Sequence, residues 1–147
     1  MTDAGRGGNP PQPRLFELVG GQLFFDRLAA EFYRGVRTDP ILLGLYPQPE
    51  DLSSAAQRLA MFLAQYWGGP TTYSDERGHP RLRMRHAPYA IDEAMRDRWL
   101  AHMNAALDVV TRDNASPATS HGSSLAPEVV AEMRDYFVRA ADHLRNV

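Results

Sequence analysis

Residues 53–70 read SSAAQRLAMFLAQYWGGP and carry the clearest structural signal of the chain. Their apolar side chains recur at intervals of three and four, which places them on one face of an α-helix. That face comprises Ala55, Leu59, Phe62, Leu63 and Tyr66. Ser53 or Ser54 can cap such a helix, and the Gly-Gly-Pro ending predicts an abrupt stop. The stretch therefore predicts a long amphipathic helix with one buried face.

Helical periodicity recurs in three other stretches, over residues 22–37, after Asp92 and from Pro127 onward. Their apolar faces comprise Phe25, Leu28, Phe32 and Val36, then Met95, Trp99, Met103, Leu107 and Val110, and last Val130, Met133, Phe137, Ala140, Ala141 and Leu144. Asp92 is a suitable N-cap, and proline is favoured at the first position of a helix. No stretch shows the clear alternation of a strand. The patterns together predict an all-α fold of four substantial helices with short ones between them.

Glycine and proline mark the shorter pieces. A helical turn is expected over residues 14–19, and turns with short helical pieces over 38–51. Residues 70–79 are polar and are predicted to be irregular. A short helix over Arg81–His86 is expected to follow a proline and to stop near its last residue, since the proline two positions later disfavours helical geometry in the residue before it.

The chain is predicted to form one domain over residues 14–147, because a chain of 147 residues can bury a real core without disulfides. Residues 1–13 are rich in glycine, proline and polar residues, which predicts a disordered N-terminal tail with nothing to bury. Residues 112–124 are predicted to form a polar loop of unusual length.

Composition excludes several classes of protein. The chain has no cysteine, so disulfides, thiolate metal sites, iron–sulfur clusters and cysteine nucleophiles are excluded. Its 16 basic and 18 acidic side chains nearly balance, which argues against a nucleic acid or an anionic membrane as partner. No apolar run reaches the roughly 18 residues of a membrane span, and the first residues do not resemble a secretory signal. We therefore expect a cytoplasmic protein without a membrane span.

The spacing of the histidines limits the kinds of metal site that the sequence can form. None of the five histidines stands three or four residues from another, so zinc-hydrolase and di-iron motifs are absent. Phosphate-binding, dinucleotide-binding and nucleophile-elbow motifs are absent as well. What remains is His86, on a short helix between two long amphipathic ones. One histidine can supply a single axial bond to haem iron, yet from the residues alone a surface or satisfied core histidine is the simpler interpretation.

Two further groups of residues can take part in binding. Tyr33, Tyr46 and Trp99 each combine a large apolar body with a hydrogen-bond donor that needs a partner when buried. Ordinary core packing is their simpler interpretation. Arg58 and Arg85 can pair with carboxylates, although single arginines are usually solvated surface charges.

Three motifs resemble those of the truncated haemoglobins. The stretch RLAMFLAQYWGGP over residues 58–70 is similar to the distal helix and Gly-Gly turn of this family. GHPRLRMRHAPY over 78–89 resembles its proximal segment, and Phe16-x-x-Val19-Gly20-Gly21 resembles the end of its shortened first helix. The resemblance runs from about residue 14 to 110. It is strongest to group II, the actinobacterial "O" type, because a tryptophan stands at position 99.

The resemblance implies a truncated globin fold, a two-over-two helical sandwich around haem b (iron protoporphyrin IX), and assigns roles to single residues. His86 matches the proximal iron ligand, and Tyr33, Tyr46 and Trp99 match three distal hydrogen-bond donors. Ala55 and Leu59 match distal-helix positions that face the bound ligand. The residues implied to pack the porphyrin are Leu59, Phe62, Leu63, Leu82 and Met103, and those implied to meet the propionates are Arg58 and Arg85. No catalytic residue is assigned.

Three functions stay open at this point. The first is a haem protein with five-coordinate iron that binds O₂, NO or CO, as a sensor or in oxygen transport. The second is a haem redox enzyme, an NO dioxygenase or a peroxidase, served by an electron-donor reductase. The third is a helical interaction domain without a cofactor. The oligomeric state, a homodimer included, is also open.

Overall fold

The computed structural model describes residues 14–46, 48–114 and 125–147, and within these ranges it contains eight helices and no strand. The helices are α1 (Leu15–Leu18), α2 (Gln22–Arg37), α3 (Pro40–Leu43), α4 (Ser53–Tyr66), α5 (Thr72–Arg77), α6 (Leu82–His86), α7 (Glu93–Asn114) and α8 (Pro127–Leu144). The predicted all-α fold is confirmed. The tail predicted over residues 1–13 and most of the loop predicted over 112–124 lie outside the described residues.

The helix α2 lies at the centre of the core. It packs against both α4 and α7, and α7 packs against α8, so that α2 and α4 form one layer and α7 and α8 the other. Phe25, Leu28, Phe32 and Val36 are each 0% exposed, so the predicted apolar face of α2 is confirmed. Gly35 permits a close approach of α7, because a Cβ at this position would lie 2.6 Å from Nδ1 of His102.

The Gly-Gly turn after α4 is shaped by its contact with α1. Gly68 has a φ of +98°, a conformation that L side chains rarely adopt. At Gly69 a Cβ would come within 2.5 Å of the Phe16 ring. The Phe16 amide donates to the carbonyl of Trp67 at 3.0 Å, which fixes α1 across the end of α4. Both glycines are therefore required for α1 to pack in this position.

Two predictions about helix starts are wrong. Neither Ser53 nor Ser54 caps α4, because Leu52 occupies the N-cap position and Oδ1 of Asp51 instead accepts from the amide and the hydroxyl of Ser53. The helix α6 begins at Leu82 rather than at Arg81, whose φ of 45° is left-handed. The Arg81 amide donates to Nδ1 of His79, and this turn displaces the helix start by one residue.

Two predictions about irregular segments also need correction. Residues 70–79 contain α5, whose polar sequence gives no helical periodicity. Tertiary contacts stabilise it, since Gln65 exchanges two hydrogen bonds with Ser74 and Tyr73 is buried. The helix α7 continues to Asn114, three residues into the predicted loop. The Asp92 cap is confirmed by a 2.9 Å hydrogen bond from the Met95 amide to its carboxylate.

Asp39 is a buried carboxylate that joins α3 to α7. Its side chain is 7% exposed and accepts from the Leu42 amide at 3.2 Å, which caps α3. Nη1 of Arg98 lies 3.1 Å from Oδ1, and Nε2 of His102 lies 2.9 Å from Oδ2. The hydrogen bond with His102, assisted by those from Leu42 and Arg98, lowers the pKa of Asp39 to about 2.

We expect Asp39→Asn to lower the free energy of unfolding at pH 7 by about 2 kcal/mol, because two charge-assisted hydrogen bonds are weakened. Urea unfolding followed by circular dichroism measures the difference. The matched control is Asp135→Asn, which removes a carboxylate from an exposed pair with Arg139 and should cost less than about 0.5 kcal/mol. An equal effect of both substitutions would contradict the assigned role.

The stability difference should also depend on pH. An unperturbed aspartate has a pKa of 3.8, whereas its hydrogen bonds, above all the one with His102, give Asp39 a pKa of about 2 in the folded protein. Between these two pH values Asp39 is therefore mostly ionised in the folded protein and mostly protonated in the unfolded one. The free energy of unfolding of the parent should therefore exceed that of Asp39→Asn by the full difference above pH 3.8, and this difference should disappear as the pH falls to about 2. Unfolding measured at pH 7, 3 and 2 checks this order.

None of the helices in the described ranges is long and apolar enough to cross a bilayer.

Candidate functional site

A cavity of about 430 Å³ lies between α4, α6 and α8, and a second cavity of about 220 Å³ adjoins it. Eleven of the twelve predicted site residues line the larger cavity: Tyr33, Tyr46, Ala55, Arg58, Leu59, Phe62, Leu63, Leu82, Arg85, His86 and Trp99. Tyr46, Arg58, His86 and Trp99 also line the smaller one. The sequence motifs that are far apart in the chain therefore meet around one space.

Met103 is the predicted site residue that the structure does not bring to either cavity. It is 0% exposed and belongs to the hydrophobic core. Met103 stands one turn after Trp99 on the same face of α7, but the packing of α7 between α2 and α8 covers that part of the face completely. Position on a helix face alone does not distinguish a residue that lines a cavity from one beneath it.

Several residues around the cavity were not predicted as site residues. They are Tyr73 and Arg77 of α5, Tyr89, and the α8 residues Tyr136, Phe137, Ala140, Ala141 and Leu144. The periodicity of α8 identified four of them as a buried face, without indicating that this face borders a cavity. Tyr73 and Arg77 were not predicted as site residues because their segment was predicted to be irregular. Burial raises the pKa of Tyr136 to about 12, so its phenol is protonated at neutral pH.

His86 ends α6 and presents an imidazole to both cavities. Its Nδ1 lies 2.7 Å from the carbonyl oxygen of Leu82. A carbonyl oxygen can only accept, so Nδ1 carries the proton and donates. The other nitrogen, Nε2, then holds a lone pair in the neutral ring, and within the described ranges it has no hydrogen-bond partner. The cavity thus contains one oriented nitrogen donor.

Tyr33 and Tyr46 form a pair of buried phenols on another part of the wall. Their rings meet edge to face with centroids 5.5 Å apart, and their hydroxyls form a hydrogen bond. Burial raises the pKa of both hydroxyls above the ordinary value of tyrosine, although the hydrogen bond with Tyr46 and the charge of Arg58 act to lower the pKa of Tyr33. Both groups therefore keep their protons at neutral pH, and each can act as a donor. While the two hydroxyls are bonded to each other, one of the two protons is free for a third group.

The Trp99 indole is held between aromatic rings of the core. Its centroid lies 5.4 Å from that of Phe32 and 6.0 Å from that of Phe137. Among the residues that the structure describes, the indole N–H has no hydrogen-bond partner. Trp99 lines both cavities, so this fixed ring adds a third donor to the two phenols.

Two guanidinium groups border the cavity without a neighbouring carboxylate. Arg58 donates to the hydroxyl of Ser54 at 2.8 Å. Arg85 donates to the carbonyl oxygens of Pro80 at 2.7 Å and Arg77 at 3.0 Å. Neither forms an ion pair within residues 14–46, 48–114 and 125–147. Both remain available to an anionic group at the edge of the cavity.

Comparison with known proteins gives one consistent family. A model of the bacterial-like globin family matches residues 14–128. The group 2 truncated haemoglobin YjbI of Bacillus subtilis is 40% identical over 95 residues, which cover 65% of this chain and 70% of the relative. The chain is a member of the bacterial-like globin family, as a truncated haemoglobin of group II.

Solved structures agree with this assignment. A thermostable haemoglobin of the actinobacterium Thermobifida fusca is 47% identical, with a TM-score of 0.80 over 92% of this chain and 98% of that one. A truncated haemoglobin of Bacillus subtilis described as oxygen-avid is 31% identical, with a TM-score of 0.76 over 91% of this chain and all of that one, 100%. Membership of the globin family implies that the protein binds haem and diatomic gases.

The residues around the cavity fit a haem in their chemistry. Haem proteins supply an axial ligand such as histidine to the iron, and a buried haem is stabilised by apolar walls around its ring and by cations near its two propionates. The cavity contains the Nε2 lone pair of His86, apolar side chains from α4, α6 and α8, and the guanidinium groups of Arg58 and Arg85. No cluster of three or more histidine, aspartate or glutamate side chains occurs in the described residues, so they contain no competing metal site of that kind.

We expect the folded protein and its Tyr46→Phe variant to have the same absorbance at 295 nm from pH 7 to 11, because burial keeps the Tyr46 phenol protonated. In 6 M guanidinium chloride the variant should show one tyrosinate fewer than the parent, which serves as the control. A smaller alkaline rise in the folded variant would show that Tyr46 is accessible to solvent.

Proposed function

We propose that this chain binds haem b in the cavity with His86 as the protein ligand of iron, and that it binds O₂, NO and CO in the same cavity. The oriented Nε2 lone pair of His86 is the observation that carries this proposal. The proposal assigns the site to one domain over residues 14–147, and the family match covers 14–128 of this range. When bound, haem would supply an iron centre that can bind a diatomic ligand.

The chain holds the cofactor by three kinds of contact. Leu59, Phe62, Leu63 and Leu82 cover the porphyrin ring, and each Å² of apolar surface that they remove from water contributes about 25 cal/mol. Arg58 and Arg85 bind the two propionates by charge-assisted hydrogen bonds. The Leu82 carbonyl accepts from Nδ1 of His86, which orients the imidazole and increases the basicity of Nε2.

The residues proposed for the distal side donate hydrogen bonds and keep their protons. The hydroxyls of Tyr33 and Tyr46 and the indole N–H of Trp99 would donate hydrogen bonds to a diatomic ligand in the cavity. Each hydrogen bond to a charged acceptor contributes about 1.5–3 kcal/mol, and even the lower figure slows release about tenfold. Ala55 has only a methyl group and cannot donate, so stabilisation depends on the aromatic residues. The related oxygen-avid haemoglobin of Bacillus subtilis supports tight O₂ binding.

Three donors in one pocket favour a redox role over oxygen transport, because a protein that releases O₂ slowly is a poor carrier. The second candidate function is therefore NO dioxygenation or peroxide reduction, with electrons from a separate reductase. Stopped-flow mixing of the O₂-loaded protein with NO, followed by turnover with a reductase, distinguishes this function from ligand binding alone.

We expect His86→Ala to lose the haem spectrum of the parent, because the variant has no nitrogen donor at this position. The measurement is the ferric and ferrous absorption spectrum after titration with haemin. His143→Ala is the matched control, since His143 is exposed and does not line the cavity. A Soret band in His86→Ala identical to that of the parent would disprove the proposed ligand.

We expect Tyr46→Phe and Trp99→Phe each to accelerate O₂ dissociation about tenfold, because each removes one donor worth at least 1.4 kcal/mol. Stopped-flow ligand replacement by CO measures the rates of both variants and of the double variant. Tyr66→Phe is the control, since Tyr66 is 50% exposed and does not line the cavity. Parent-like rates in all three cavity variants would refute the role of these donors.

A further inference from the structure

The residues after α8 return to the segment that follows His86. The backbone leaves the helix at Arg145 in an extended conformation, with φ −62° and ψ 131°. The Asn146 amide donates to the carbonyl of Ile91 at 2.9 Å, and the Val147 amide donates to the same oxygen at 3.3 Å. Ile91 is itself buried. Residues 145–147 therefore lie against the connection between α6 and α7.

The side chain of Asn146 binds this connection through both ends of its carboxamide. Nδ2 donates to the carbonyl oxygen of Tyr89 at 2.8 Å and to that of His86 at 3.4 Å. Oδ1 accepts from the Ile91 amide at 2.9 Å. One side chain thus contacts three backbone groups between His86 and Ile91, across 55 to 60 residues of sequence.

The helix α6 depends on such contacts because it cannot hold His86 in place by itself. It has five residues, and its N-cap Arg81 makes no side-chain capping hydrogen bond. Helices of this length are not stable in isolation. The hydrogen bonds of Arg85 hold the segment before the helix, and Tyr89 and Asn146 bind the His86 carbonyl after it.

We propose that Asn146 is a positioning residue for His86, which fixes the backbone of residues 86–91 and thereby the imidazole that binds iron. This inference rests on the proposed function of His86 as the iron ligand. Asn146 bonds only to the backbone of this segment, so its effect reaches the iron through the position of His86. The consequence is slower loss of haem and a defined geometry of the bond between iron and His86.

Two substitutions test the proposal in the haem-loaded full chain. Asn146→Ala removes all three side-chain hydrogen bonds. Asn146→Asp has nearly the same volume and retains an acceptor for the Ile91 amide, but it replaces the donor with an oxygen that faces two carbonyl oxygens. Asn104→Ala is the matched control, since Asn104 makes one side-chain hydrogen bond, with Arg134, and does not line the cavity.

Two measurements are made on each variant. Transfer of haemin to excess apomyoglobin gives the rate of haem loss, and resonance Raman spectroscopy of the ferrous form gives the iron–histidine stretching frequency. We expect haem loss about tenfold faster in both Asn146 variants, equivalent to about 1.4 kcal/mol. The stretching frequency should shift in both and stay at the parent value in Asn104→Ala.

Each other outcome overturns the proposal. Parent-like haem loss and frequency in either Asn146 variant would show that the carboxamide donor does not position His86. An equal increase of haem loss in Asn104→Ala, or failure of both Asn146 variants to fold, would assign Asn146 a general role in stability. His86→Ala separates this result from the proposed function, because an unchanged spectrum in that variant would refute the ligand itself.

Discussion

The hydrogen bond from Nδ1 of His86 to the Leu82 carbonyl is the interaction on which the chemistry of the cavity depends. It determines which ring nitrogen carries the proton and therefore which one has a lone pair. Both partners belong to α6, so the bond also fixes the ring relative to a helix of five residues. A nitrogen with a free lone pair is thereby oriented within one short segment, and the rest of the fold has to hold that segment against the cavity.

Aromatic packing in the core meets this requirement on the distal side. Phe32 contacts both Tyr33 and Trp99, which present polar groups to the cavity, and Phe137 contacts Trp99 from α8. The hydrogen-bond donors are therefore attached to rings that the core already immobilises. Donors held in this way need little rearrangement when charge develops near them, which is the condition for strong electrostatic stabilisation.

The fold was predictable from sequence for those helices whose own residues show a clear apolar periodicity. The faces of α2 and α8 and the Asp92 cap follow from spacing and residue type. The helix α5 does not, because its stability comes from contacts between Gln65 and Ser74. Prediction of the residues that line the cavity required the family motifs, since spacing alone favours an ordinary surface or core histidine at position 86. Burial of Met103 depends on how α7 packs between its neighbours, which no local pattern records.

The contacts of Asn146 have a consequence for the order in which the domain is completed. The segment after α6 is synthesised 55 to 60 residues before the side chain that binds it. Closing so long a stretch of chain is entropically unfavourable until the intervening helices have packed. The part of the cavity wall that carries Tyr33, Ala55 and Leu59 can form early from α2 and α4, whereas the segment after His86 gains its last hydrogen bonds only once α7 and α8 are in place.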